Sequence, residues 1–154
     1  MTSSGKLHPL ELKLPPLLVV LLTAALIWWL PPLWPLSLLA EIALLLMAAG
    51  VVICLWGALS FRLARTTLDP RVPHQSSQLV DGGIYRFTRN PMYLGMALSL
   101  LGYGLWLGKG SALLAVVAFV LYLNRFQIIP EERALAHRFG DSFNRYCQRV
   151  RRWL

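Results

Sequence analysis

Two polar stretches stand out in an otherwise apolar chain. The first, 79–95, reads LVDGGIYRFTRNPMYLG and gathers Asp81, Tyr85, Arg86, Arg89, Asn90 and Tyr93 at the approach to an apolar run. The second begins at Glu131 and Glu132, shortly after Arg125 and Gln127. Tyrosine faces stack on a heterocyclic base or sit against a cation. Carboxylates accept hydrogen bonds from an ammonium or a sugar hydroxyl, and Arg pairs with a carboxylate. Together these groups suit a zwitterionic ligand with an aromatic part. Neither C-x-x-C nor H-E-x-x-H occurs, so no metal site is announced.

The remaining elements must bring the two stretches together. The chain has 154 residues, sized for a single domain. It is 56% hydrophobic and 14% charged, against about 25% charged in soluble domains. This composition indicates an integral membrane protein. The net charge of +8 then points to an anionic membrane surface rather than to nucleic acid. Cys54 lies in an apolar run and Cys147 in a polar tail, so they are expected at different depths and unbridged.

The expected fold is all-α, with about four transmembrane helices at about 15–30, 35–61, 92–107 and 111–129, a cytoplasmic loop and C-terminal amphipathic interfacial helices. The first run meets Trp28, Trp29 and Pro31 where a signal peptide would carry small residues, so it is expected to stay uncleaved. The second holds Glu41 near its outer end, within reach of the interface. Ala64 and Leu68 are spaced to continue a short helix into the loop. Gly104 and Gly108 have the small-xxx-small spacing of close helix contacts. Lys109-Gly110 makes a tight turn, so the third and fourth helices form a hairpin, and Pro130 marks the end of the fourth or a kink in it.

The C-terminal segment repeats Leu135, Phe139, Phe143, Tyr146, Val150 and Trp153 on one helical face and is expected to lie on the membrane surface. Gly140 divides it, with Asp141 or Ser142 capping the second half. Fourteen of the fifteen Lys and Arg residues fall on the side of the two termini and the long loop, leaving only Lys109 opposite. That side is expected to be cytoplasmic. The hairpin would bring Tyr85, Arg89, Asn90 and Tyr93 against Arg125, Gln127, Glu131 and Glu132 in a pocket there.

The ordered pattern G-[IV]-Y-x-x-x-R-[HN]-P-x-Y-x-G, followed after a hairpin by E-E-x-x-L, resembles the isoprenylcysteine carboxyl methyltransferase and phospholipid methyltransferase group of integral membrane enzymes. Gly83, Ile84, Tyr85, Arg89, Asn90, Pro91, Tyr93 and Gly95 carry the first part, and Glu131, Glu132 and Leu135 the second. Leu79-Val80 and the run Phe139, Gly140, Phe143, Tyr146 also match, so the likeness spans about 70–150. The resemblance implies S-adenosylmethionine as cofactor, held by Ser77, Gln78, Leu79, Val80, Tyr85, Arg89, Asn90, Pro91, Met92, Tyr93 and Glu131. It places Arg125 and Glu132 on the substrate side. It implies a lipophilic or membrane-associated acceptor whose nucleophile displaces the sulfonium methyl in line, with positioning supplying much of the rate. The chain departs from the pattern twice: Asn90 stands where many members have His, and Gln127 where prenylcysteine enzymes have a substrate-handling Arg, for which Arg125 is the nearest replacement. A membrane reductase using NADPH, a small transporter with Glu41 as coupling acid, and a non-catalytic membrane module are the competing readings.

Overall fold

The structure is a computed structural model and describes residues 11–33, 39–64 and 78–154. Among these residues all regular structure is helical and no strand occurs. Helix α1 (Pro16–Trp29) has proline in its first turn, and Leu30 after it is extended, as the residue before a proline must be. Helix α2 (Ala40–Leu63) follows, then a 3₁₀ turn (Gly83–Arg86), α3 (Pro91–Trp106), α4 (Ala112–Leu123), α5 (Ile129–Phe139) and α6 (Asp141–Arg149). A π-helical turn, Asn124–Ile128, joins α4 to α5.

Among the described residues, two rods are long and apolar enough to cross a membrane. One is α2, 24 residues whose most apolar 18-residue stretch has mean hydropathy 2.6; the other is Ala112–Phe139, 28 residues, with 1.9 over its own most apolar 18-residue stretch. They measure about 36 and about 42 Å, against a hydrocarbon core of ~30 Å. Helices α1 and α3 have 14 and 16 residues, fewer than the ~20 a perpendicular span needs. The expected four-span pattern is therefore not confirmed: among the described residues two helices are long enough to span, and α1 and α3 fall short. Leu17, Leu21, Leu45, Val52, Leu55 and Leu114 all face outward, where a bilayer rather than a protein core would cover them.

Only Ala43, Gly50 and Gly57 of α2 are buried. They recur at every seventh position, so they form one stripe, and that stripe lies on α3. A Cβ on Gly50 would come within 2.5 Å of the Gly95 carbonyl oxygen, and one on Gly102 within 2.7 Å of the Ala43 carbonyl oxygen. Backbone thus meets backbone, the contact that small residues permit between membrane helices. Gly104 and Gly108 serve the hairpin instead: Gly104 faces Ala112, and Gly108 adopts φ +68° in the turn.

Pro130 does not end the fourth helix. An α-helical ladder would have residue 130 donate to the carbonyl of Phe126, and proline has no proton to give. The π turn accommodates the ring, and the Leu12 N–H takes up the Phe126 carbonyl at 3.0 Å. Gly140, at φ +51°, separates α5 from α6, and neither Asp141 nor Ser142 caps α6 with its side chain. Ala64 is the C-cap of α2, while Leu68 lies outside the described residues.

The C-terminal apolar face is turned inward, not left for a membrane surface. Phe143, Tyr146 and Val150 are buried against Ile84 and Tyr85, with Leu135 and Phe139 beside them. The 3₁₀ turn supplies apolar partners, so the face gains dispersion contacts as well as dehydration. At the far end Lys109 donates to the Trp28 carbonyl and lies 5.8 Å from the Trp28 ring centroid, a cation placed at the C-terminus of α1.

The α2–α3 stripe makes a direct prediction. Gly50→Leu should destabilise the protein by about 1–3 kcal/mol through overpacking, read as a lowered midpoint of thermal unfolding in detergent. Gly82→Ala, where an added Cβ meets nothing within 4 Å, should leave that midpoint unchanged.

Candidate functional site

Glu131 and Glu132 stand in the first turn of α5. Consecutive helical residues point about 100° apart, so each acid meets a different partner. Tyr93, in the first turn of α3 and only 4% exposed, donates from Oη to Glu131 Oε1 at 2.5 Å. Glu132 meets cations. Arg152 forks it, Nε to Oε1 at 3.1 Å and Nη2 to Oε2 at 2.6 Å, and Arg89 Nη2 lies 3.3 Å from Oε1. The Arg89 and Glu132 side chains are 15% and 19% exposed, a setting in which a charge must be paired. Arg89 also donates to Cys147 Sγ, while its own Nε is buried with no hydrogen-bond acceptor among the described residues.

The turn before α3 is fastened to the C-terminal tail. The Arg89 N–H donates to the Arg151 carbonyl at 3.0 Å, Asn90 Nδ2 to the Arg152 carbonyl at 2.9 Å, and Thr88 Oγ1 to the same carbonyl at 3.3 Å. Asn90 occupies the N-cap position of α3, yet its side chain caps nothing in the helix; it is spent on the tail. Tyr85 lies next to this turn, buried, with its ring edge-on to Phe61 at 5.4 Å between centroids. Its carbonyl accepts from Tyr146 Oη at 2.8 Å. Burial, with the neighbouring Tyr146 and Glu131 adding to it, pushes the Tyr85 phenol up, so it stays protonated at physiological pH.

The other expected contacts are distributed around these. Leu79 and Val80 pack on the Ile84–Tyr85–Phe143 cluster. Gln78 Nε2 donates to the Ala64 carbonyl and so ties the loop to the end of α2. Pro91 is fully buried and Met92 packs toward Gly57. Ser77 lies outside the described residues. An open cleft of ≈ 590 Å³ beside Leu79 is lined also by Asp81, Ser142, Arg145, Gln148 and Arg149, with Arg149 Nη2 3.3 Å from Asp81 Oδ2.

The pocket expected from all eight polar residues is not formed as one group. Tyr93 meets Glu131 and Arg89 meets Glu132, but Arg125 and Gln127 are engaged by the N-terminal segment. Arg125 stands six positions before Glu131, more than one and a half turns away, and projects from another side of the rod. It reaches Glu11 Oε1 at 2.7 Å, and Arg133 Nη2 reaches the same oxygen at 3.0 Å. Gln127, 0% exposed, donates Nε2 to the Leu14 carbonyl at 2.5 Å. Arg152, Thr88 and Glu11 are the site-region residues that sequence reasoning missed. Arg152 stands in a run of arginines with no periodicity to single it out. Glu11, an acid in a basic tail, carried a charge signal without an address.

With this geometry in place, comparison with known proteins identifies the family. The chain belongs to the phospholipid methyltransferase family, whose sequence model matches residues 39–142. An uncharacterized protein of Haemophilus influenzae is 52% identical over 63 residues, which cover 41% of this chain and 100% of that protein. A protein-S-isoprenylcysteine O-methyltransferase of Schizosaccharomyces pombe is 36% identical over 75 residues, covering 47% of this chain and 30% of its own length. No solved structure matches the chain.

The Glu11 clamp is expected to open in acid. The Arg125 hydrogen bond holds the Glu11 carboxyl below its ordinary range, against the opposing effect of burial and with Arg133 assisting. A carboxylate depressed in the folded state stabilises above its unfolded pKa of about 4.3, and that contribution is lost as pH falls through the lower folded value. Hydrogen-exchange protection of the Leu12 amide, which donates to Phe126, should therefore be complete near neutrality and fall below about pH 4. Glu11→Gln should lower that protection already at neutral pH.

Proposed function

We propose that this chain is an S-adenosylmethionine-dependent methyltransferase acting on a lipophilic or membrane-associated acceptor. The observation that carries this reading is the corner where Tyr93 and Glu131 stand beside Arg89 and Glu132. The cofactor, when bound, supplies a methyl group on a positively charged sulfur, open to in-line attack by the acceptor's nucleophile. The residues present fit it. Glu131 accepts one hydrogen bond among the described residues, from Tyr93, and a carboxylate has capacity for several, so it is suited to an ammonium or a ribose hydroxyl. Arg89 keeps a buried Nε without an acceptor among the described residues, suited to a carboxylate. Tyr85 and Tyr93 are assigned to the cationic and aromatic parts of the cofactor, for which aromatic rings are favourable neighbours. Gln78, Leu79, Val80, Asn90, Pro91 and Met92, with Ser77 preceding them, are assigned to the walls.

Glu132 is better read as a charge partner of the two arginines than as a substrate-side group. Arg125 is assigned to the N-terminal clamp. The acceptor is read as lipophilic because the site lies at the end of helices whose outer faces are apolar. Kinship with a methyltransferase whose acceptor is a lipidated cysteine supports the same class. The charge bias supports a multi-pass arrangement with both termini and this site on the cytoplasmic side.

Titration of the purified protein with S-adenosylmethionine and S-adenosylhomocysteine tests the assignment. The wild type should bind both. Glu131→Gln and Tyr93→Phe should each weaken binding about tenfold or more, since hydrogen bonds to charged groups contribute about 1.5–3 kcal/mol. A folded wild type that binds neither compound would falsify the assignment.

A further inference from the structure

We propose that Arg152 is a positioning residue, through which the C-terminal tail holds the two halves of the site in register; this rests on the methyltransferase reading. After α6 the chain becomes extended at Val150 and crosses from the turn before α3 to the start of α5. Arg152 makes the crossing from both of its ends. Its carbonyl accepts from Asn90 Nδ2 at 2.9 Å and from Thr88 Oγ1 at 3.3 Å. Its guanidinium forks Glu132 at 3.1 and 2.6 Å. Arg89 N–H on the Arg151 carbonyl at 3.0 Å and Trp153 Nε1 on Asn124 Oδ1 at 3.1 Å brace the same crossing.

Two consequences follow for the acids. Glu132 is turned toward the tail, and with its direction set, the helix fixes Glu131 about 100° away, on Tyr93. The fork also occupies both Glu132 oxygens, so the lone Arg89 contact at 3.3 Å is not the sole compensation for a half-buried charge. Arg89 can then turn hydrogen-bonding capacity toward a bound anion. Arg152 itself touches no reacting atom in this scheme. It acts through Glu132 and through the Asn90 turn. A lysine in its place would keep the charge but lose the planar fork.

The test measures S-adenosylmethionine affinity in the full-length chain for Arg152→Gln, Arg152→Lys, Glu132→Gln and the double variant Glu132→Gln/Arg152→Gln. Arg152→Gln should weaken binding about tenfold, taking the loss of one charge-assisted pair as the scale, and speed hydrogen exchange at the Arg89 amide. Arg152→Lys should show a smaller loss. The double variant should bind no more weakly than Glu132→Gln alone, because the two side chains act as one unit. Wild-type affinity in Arg152→Gln, or losses that multiply in the double variant, would overturn the proposal while leaving the methyltransferase reading intact. If Arg152→Gln does not fold, Arg152→Lys decides: a weakened affinity supports the proposal and an unchanged one overturns it. Absence of binding by the folded wild type overturns the methyltransferase reading and this proposal together.

Discussion

Two acids side by side in a half-buried corner impose the constraint around which this end of the molecule is arranged. Neighbouring carboxylates repel, and each loses hydration where protein replaces water. The fold answers by separating their partners. Glu131 receives a neutral phenol from α3, and Glu132 receives two guanidiniums, one from the motif turn and one from the tail. Three segments far apart in the chain must converge for this to happen. The beginning of α3, the beginning of α5 and the last residues therefore meet at one place. A pair of acids alone would be a poor stabiliser, since desolvation offsets most of what pairing returns.

The convergence depends on how the rods are packed. Small residues on α2 and α3 bring those backbones into contact, which fixes the axis of α3 and hence the place where Tyr93 emerges. The short turn at Lys109 sends the next rod back alongside it. That rod continues past Pro130 because a π turn absorbs the ring and the N-terminal segment satisfies the freed carbonyl. Had the helix ended there, α5 would not carry Glu131 and Glu132 rigidly from the same rod. The proline is thus a device for docking the N-terminal segment as much as an interruption.

Asn90 and Gln127, the two departures from the resembled pattern, both have structural employment. Asn90 donates to the Arg152 carbonyl, a bond that needs an N–H donor and no positive charge. Gln127 donates to the Leu14 carbonyl, and the neighbouring Arg125 is drawn to Glu11. The side of the rod where prenylcysteine enzymes keep a substrate-handling arginine is here engaged with the chain's own N-terminal segment.

Much was legible in the sequence because it depends on local composition and period. Apolar runs bounded by proline and glycine located the helices to within a few residues, apart from the fourth rod, which runs on through Pro130 to Phe139, since burial in lipid or protein and the loss of a proline N–H are properties of short segments. The tight turn at Lys109 made the third and fourth helices neighbours, so it could be anticipated that the stretch holding Arg89 and Tyr93 would lie near the one holding Glu131 and Glu132, though not which side chains would pair. Tertiary structure decided the rest, because side-chain direction around a helix and pairing between distant segments have no local signal. It turned the amphipathic face of the C-terminal helices onto Ile84 and Tyr85 rather than outward. It drew Arg125 and Gln127 away from the acids, and from a row of equivalent arginines it chose Arg152 for Glu132. Which of several like charges meets a given acid is set by where the backbone delivers them, and only the folded chain contains that information.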